Sequence, residues 1–189
     1  MIFMQEKIIP PYRPSILFLS GASGVGKTTI VNALRSKNTS ASHFFLHFDS
    51  IDIPSLTDMI KYAGSVERWQ KITTYKWIEK ITNNYRSTDT VIIEGQVRLN
   101  FIEDACRKLG ITKYVIVLID CDWKIMRDRL INNRQQPELV NSNMQNWATF
   151  LYKQAQLKNI PIINTSQKTL QEVVDTIQNK ILTSFVEAR

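Results

Sequence analysis

Cysteine and histidine are scarce, with two of each in 189 residues. Two cysteines build no disulfide framework, and with neither histidine near a Cys-rich cluster a zinc site has no support. Cys106 falls in a helical pattern and Cys121 just after a strand pattern, which reads as two reduced, buried thiols. No stretch approaches about 18–20 uninterrupted apolar residues, so no membrane-spanning helix is expected. The opening Met1-Ile2-Phe3-Met4-Gln5-Glu6-Lys7 lacks the basic-then-apolar order of a signal peptide, and the expected location is the cytoplasm. Despite a formal charge of +7, no block of five or more Lys/Arg occurs. Charge spread in this way suits a cleft that handles several phosphates better than a nucleic-acid-binding tail.

Internal repeats, low-complexity segments and a domain linker are also missing. With 43% apolar and 22% charged residues, the chain reads as one globular domain over residues 1–189. Residues 1–14, with Pro10, Pro11 and Pro14, form an extended lead-in. Short apolar runs predict strands over 15–20, 44–48, 90–93, 114–119 and 160–163. Helical periodicity predicts helices over 27–36, 55–86 (in two parts broken near Gly64), 99–109, 123–132, 142–158 and 168–182. Leu170, Val173, Val174, Ile177 and Ile181 mark the inward stripe of the last. Strands alternating with helices imply right-handed crossovers: a three-layer α/β/α domain around a five-stranded parallel sheet.

The strongest signal lies between the first strand and the first helix. Gly21-Ala22-Ser23-Gly24-Val25-Gly26-Lys27-Thr28 matches G-x-x-x-x-G-K-[ST] in full. Such a loop turns backbone N–H groups inward as an anion nest, and the helix that follows aims its positive end at the same place. Lys27 then reaches the β- and γ-phosphates of a nucleoside triphosphate, expected to be ATP, and the Thr28 hydroxyl ligates Mg²⁺. Thr29 continues the phosphate contacts. The guanine-reading N-K-x-D pattern is absent, and Val91-Ile92-Ile93 ends in Glu94-Gly95 rather than the Asp of a motor-type ATPase.

With these features the chain resembles the P-loop small-molecule kinases, the group that includes adenylate, shikimate and gluconate kinases. Besides the loop, Asp49 closes the second strand, where shikimate- and gluconate-type kinases hold the acceptor hydroxyl. Glu94-Gly95-Gln96-Val97-Arg98 has the spacing of the D-G-x-x-R segment of nucleoside-monophosphate kinases, and Arg127, Arg129 and Arg134 flank a polar loop where such kinases carry a lid. The resemblance spans about residues 15–182. More narrowly, F-D-S-I-D-I-P-S, E-G-Q-V-R, R-Q-Q-P-E-L and N-W-A-x-F-L are similar to an uncharacterised bacterial ATP-binding branch. Two departures stand out: the acidic pair is Asp49-Ser50-Ile51-Asp52 instead of D-x-D, and Glu94 replaces the adenylate-kinase Asp.

What the resemblance implies is phosphoryl transfer from ATP to a small acceptor such as a nucleoside, nucleotide, sugar or hydroxy acid. Asp49 would orient or deprotonate the acceptor hydroxyl, and Asp52 would either contact substrate or shape a turn. Glu94 would hold a Mg²⁺-bound water or a substrate hydroxyl, and Arg98 would clamp an anionic acceptor group. At least one of Arg127, Arg129 and Arg134 would reach the transferring phosphate; Arg127 and Arg129 lean to opposite faces of their helix. Thr165 and Ser166 would lie beside the adenine, residues 55–86 would form the acceptor side and 133–142 the lid. Trp69, Trp77, Trp123 and Trp147 read as packing residues. Two other readings stay open: a nucleotide-binding regulator or slow ATPase without an acceptor, and an enzyme acting on nucleic-acid ends.

Overall fold

The computed structural model describes residues 13–50 and 53–187. The greater part of the lead-in, and Asp52, lie outside the described residues. Five strands, β1 (Ser15–Ser20), β2 (His43–His47), β3 (Thr90–Gly95), β4 (Tyr114–Asp120) and β5 (Ile162–Asn164), form one sheet in the order β2-β3-β1-β4-β5. Every pairing is parallel. Central parallel strands are covered on both faces and so are apolar throughout, which is why β1 and β3 read as unbroken runs. The helices are α1 (Lys27–Ser36), α2 (Leu56–Ala63), α3 (Val66–Asn84), α4 (Leu99–Lys108), α5 (Trp123–Asp128), α6 (Ser142–Leu157), α7 (Leu170–Thr176) and α8 (Thr183–Glu187). Among the described residues, no helix is long and apolar enough to cross a membrane.

Alternation along the strands separates two cores. Ile16, Phe18, Val91, Ile93 and Leu118 point to the layer holding α3, α4 and α6. Leu17, Leu19, Ile92, Val117 and Ile119 point to the layer holding α1, α5 and α7. This arrangement has a consequence for the chain after α5. Met126 and Leu130 belong to the second core, whereas Leu151 and Ala155 of α6 belong to the first. The intervening segment therefore crosses from one face of the sheet to the other.

Boundaries shift where local chemistry overrides periodicity. β2 ends one residue early because Phe48–Ser50 tightens into a 3₁₀ turn. β5 starts at Ile162, not Ile160, because the Ile160 N–H donates to Ala155 at the end of α6 and Pro161 has no N–H to offer. The helix expected to end at 132 widens into a π turn over Arg129–Asn133, closed by the Arg134 N–H on the Arg129 carbonyl at 3.0 Å. A second such turn, Ile177–Leu182, joins α7 to α8. The break between α2 and α3 falls at Gly64, whose φ of 82° terminates α2.

Both thiols are buried, as expected. Burial, reinforced by Glu103, pushes Cys106 up to about 12. Burial pushes Cys121 up to about 11 against the opposing pull of Arg129. At pH 8 both therefore stay protonated. Native protein should react with an aromatic disulfide reagent roughly a hundredfold more slowly than urea-unfolded protein; fast native labelling would contradict the packing.

Candidate functional site

The C-terminal edge of the sheet gathers the candidate residues. In the loop after β1, Gly24 has φ 87° and Gly26 has φ 102°, a left-handed backbone that turns the chain back on itself. Gly24 also packs against α5, where an added Cβ would lie 2.9 Å from Met126. Gly26 caps α1 without offering a side-chain acceptor, and the first turn of α1 contains no acidic residue. By contrast, side chains cap α2, α3, α6 and α7 through Ser55, Ser65, Asn141 and Thr169. The leading N–H groups of α1 thus remain directed at an anion.

Lys27 is buried, and its ammonium donates to the Ala22 carbonyl at 2.9 Å. Burial lowers its pKa to about 8, although Glu94 and Asp49 pull it back up; Arg134 lowers it further. An anion in the loop would add to the countercharge of Glu94 and Asp49 and favour the charged ammonium. Thr28 and Thr29 are exposed on the first turn of α1 and line, with Gly24 and Lys27, a cleft of about 440 Å³.

Glu94 ends β3 beside β1 and is buried. Its Oε1 accepts from the Thr28 hydroxyl at 3.0 Å and from His47 Nδ1 at 2.8 Å. The His47–Glu94 contact follows from register, since the two residues are partners across β2 and β3. The Arg35 guanidinium lies 3.3 Å from His47 Nε2 and can only donate, so Nδ1 carries the proton given to Glu94. A threonine that gives its proton to a carboxylate turns its lone pairs outward. That donor set of hydroxyl and carboxylate oxygens suits Mg²⁺, a hard cation usually held by one or two protein oxygens together with phosphate oxygens and water.

Asp49 lies exposed in the 3₁₀ turn after β2, near enough to Glu94, Lys27 and Arg134 for their charges to act on it. Protein on its inner side and then the Glu94 charge raise its pKa, while Lys27, Arg134 and His47 oppose the rise. Trp77 Nε1 donates to the Phe48 carbonyl at 3.1 Å and pins this turn from α3. Close packing of Phe48 against Gly95, where a Cβ would come within 2.5 Å, explains the glycine after Glu94.

The arginines separate. Arg127 is exposed on α5 and does not line the cleft, so the structure does not bring it to the site as expected. Arg129 does face the cleft, but its guanidinium is spent on Val25 O, Thr165 Oγ1 and Thr165 O at 2.9–3.3 Å. Arg134 is exposed and lines the cleft beyond Lys27. Thr165 is buried at the opposite wall, and its hydroxyl donates towards Val25 O, tying the last strand to the phosphate loop. Its side chain thus has a structural tie to the loop after β1. Ser166 turns to α5, accepting from the Asp122 N–H at 2.7 Å, and is not part of the lining.

Arg98 also differs from expectation. Its guanidinium lies 3.5 Å from Glu67 and over the rings of Phe150 and Trp147, at 4.7 and 5.3 Å from their centroids. Gln96 accepts from the Ser23 hydroxyl at 3.0 Å, and Gln70 of α3 brackets this loop by donating to Gln96 O and accepting from the Arg98 N–H.

No protein-family model matches the chain, and no curated protein matches it. Solved structures do. A sugar kinase from Janibacter sp. superposes with a TM-score of 0.64 at 13% identity, covering 92% of this chain and 97% of its own. Thymidylate kinase from Candida albicans gives 0.61 at 11% identity over 91% and 92%. Shikimate kinase from Acinetobacter baumannii gives 0.55 at 16% over 90% and 94%. The chain shares its fold with these kinases. In that fold, the Gly21–Thr28 loop and Glu94 stand side by side at the ends of adjacent strands β1 and β3.

At this candidate site the sequence assigns no role to His47, Gln70 or Gln96, and it reads Trp77 as packing alone, although Trp77 also holds the turn bearing Asp49. For His47 a signal existed, because a polar residue ends an apolar strand two positions before Asp49. The others act through pairings over long sequence separations, which no local pattern marks. Replacing Lys27 by Met keeps length and removes charge. Lys27→Met should weaken ATP binding about tenfold or more, the scale of a hydrogen bond to a charged group, with an unchanged circular dichroism spectrum. Wild-type affinity in titration calorimetry would remove Lys27 from the site.

Proposed function

We propose that the protein transfers the γ-phosphoryl group of ATP to a hydroxyl or equivalent oxygen of a small acceptor. The observation that carries this reading is the Thr28–Glu94 hydrogen bond set between the phosphate loop and Asp49. The Thr28–Glu94 pair would serve any Mg²⁺–nucleotide site, whereas the second carboxylate beside it, Asp49, is what an acceptor hydroxyl needs. The P-loop kinase fold supports the same reading.

Phosphoryl transfer asks the protein chiefly for positioning and charge neutralisation. The α1 N–H groups and Lys27 would cradle the phosphates, and Arg134 would close over the transferring group from the segment that crosses the sheet edge. Thr28 and Glu94 would hold Mg²⁺, which neutralises phosphate charge when bound. The acceptor oxygen bonds to the γ-phosphorus as the bond to the bridging oxygen breaks, leaving its electron pair on ADP. Asp49 takes the acceptor proton. Thr165, Lys168 and Leu170 also line the cleft and would receive the nucleoside. Residues 133–142 serve as the lid that excludes water.

A raised pKa at Asp49 sets the pH dependence. The base must be ionised, so turnover should fall as pH drops through a value above the ordinary carboxylate range. Asp49→Asn should lose roughly a hundredfold or more of acceptor-dependent turnover, lose that acid limb, and keep ATP affinity within about threefold. The assay is product formation by mass spectrometry across pH with pooled nucleosides, nucleotides, sugars and hydroxy acids. Full transfer by the Asn variant would remove Asp49 from the reaction.

A further inference from the structure

The charges around Asp49 speak to the acceptor itself. Resting on the phosphoryl-transfer reading, we propose that the acceptor is a hydroxylated molecule without an anionic group, an uncharged or amine-bearing alcohol.

Two carboxylates, Asp49 and Glu94, stand at the ends of adjacent strands β2 and β3, where the acceptor oxygen must arrive. Their mutual influence is visible in the raised pKa of Asp49, to which Glu94 contributes after burial. Lys27 and Arg134 both act on Asp49 and both line the cleft, where they would face the transferring phosphate. An acceptor phosphate or carboxylate needs a cation of its own.

Arg98 is the residue placed in sequence for that task, and it is already matched. Glu67 of α3 neutralises it at 3.5 Å, and the rings of Phe150, Trp147 and Phe101 hold its plane at 4.7–5.8 Å. A guanidinium stacked on rings and paired with a carboxylate offers an incoming anion little net attraction. Among the described residues, the other basic side chains of the acceptor-side helices that have partners are engaged elsewhere, Lys80 over the Trp77 ring at 5.1 Å. Arg68, Lys71 and Lys76 line a separate groove against Leu109, and Lys61 lies over the Tyr62 ring. Between Arg98 and the phosphate loop run the neutral amides Gln70 and Gln96, each engaged with backbone or Ser23. The acceptor side thus presents net negative charge and amide groups. That surface suits hydroxyls and ammonium groups and disfavours anions through like-charge opposition.

The test uses the full chain with Mg²⁺ and ATP on matched pairs: a nucleoside and its 5′-monophosphate, a sugar and its sugar acid, an amino alcohol and the corresponding hydroxy acid. Phosphorylated product is measured by mass spectrometry. The expected result is product from uncharged or amine-bearing members, with kcat/KM at least about tenfold above that of any anionic partner. Faster phosphorylation of anionic members overturns this inference and leaves phosphoryl transfer standing. ATP binding without product from any member overturns phosphoryl transfer itself, and the acceptor class falls with it. Glu67→Gln provides a second readout, because Glu67 is exposed and its loss spares the fold. Freed of its carboxylate, Arg98 should shift the anionic-to-neutral ratio severalfold towards anions; an unchanged ratio removes the Glu67–Arg98 pair as a determinant of selectivity.

Discussion

One hydrogen bond organises this site: the Thr28 hydroxyl donating to the buried carboxylate of Glu94. It joins the first turn of α1 to the end of β3, so the phosphate loop and the carboxylate act as one piece. A buried carboxylate must be satisfied, and Glu94 draws on His47 as well. His47 is in turn held by Arg35, from the same helix that carries Thr28. The ring Thr28–Glu94–His47–Arg35 closes on α1. Disturbing any member moves the oxygen atoms available to a cation.

Three further ties fix the walls around that ring. Trp77 holds the turn bearing Asp49 through the Phe48 carbonyl. Gln70 and Gln96 connect α3 to Ser23 in the phosphate loop. Arg129 and Thr165 connect α5 and the last strand to Val25 in the same loop. The first two ties run from α3 and the third from the α5 end and the last strand, so the loop after β1 and the turn bearing Asp49 are held from both faces of the sheet. The segment bearing Arg134 is the exception, being exposed where it spans the two faces of the sheet. A tied floor under an exposed crossing segment is the arrangement the proposed reaction would need in order to exclude water.

Much of this was legible in residue order. Apolar runs gave five strands, and the glycine spacing directly after the first one marked the loop that turns through left-handed Gly24 and Gly26, because both depend on local spacing alone. The parallel order β2-β3-β1-β4-β5 follows the expectation of alternating strands and helices. What stayed hidden depends on side chains meeting across the fold. Arg98 looked free in sequence and is stacked and paired in the structure, since Glu67 and Phe150 come from helices far away in the chain. Arg127 and Arg129 were separable only as opposite-leaning, and packing of Met126 and Leu130 decides which of them faces the cleft. His47 gained its role from register with Glu94, which no count of histidines reveals.

The most direct test of this account is a Mn²⁺ titration followed by electron paramagnetic resonance, with a non-hydrolysable ATP analogue present and Mn²⁺ standing in for Mg²⁺. If Thr28 and Glu94 hold the metal, wild-type protein immobilises one Mn²⁺ per bound nucleotide. Thr28→Val and Glu94→Gln each weaken that site about tenfold or more while the fold persists. Equal Mn²⁺ affinity in all three proteins would contradict the central role given to this pair.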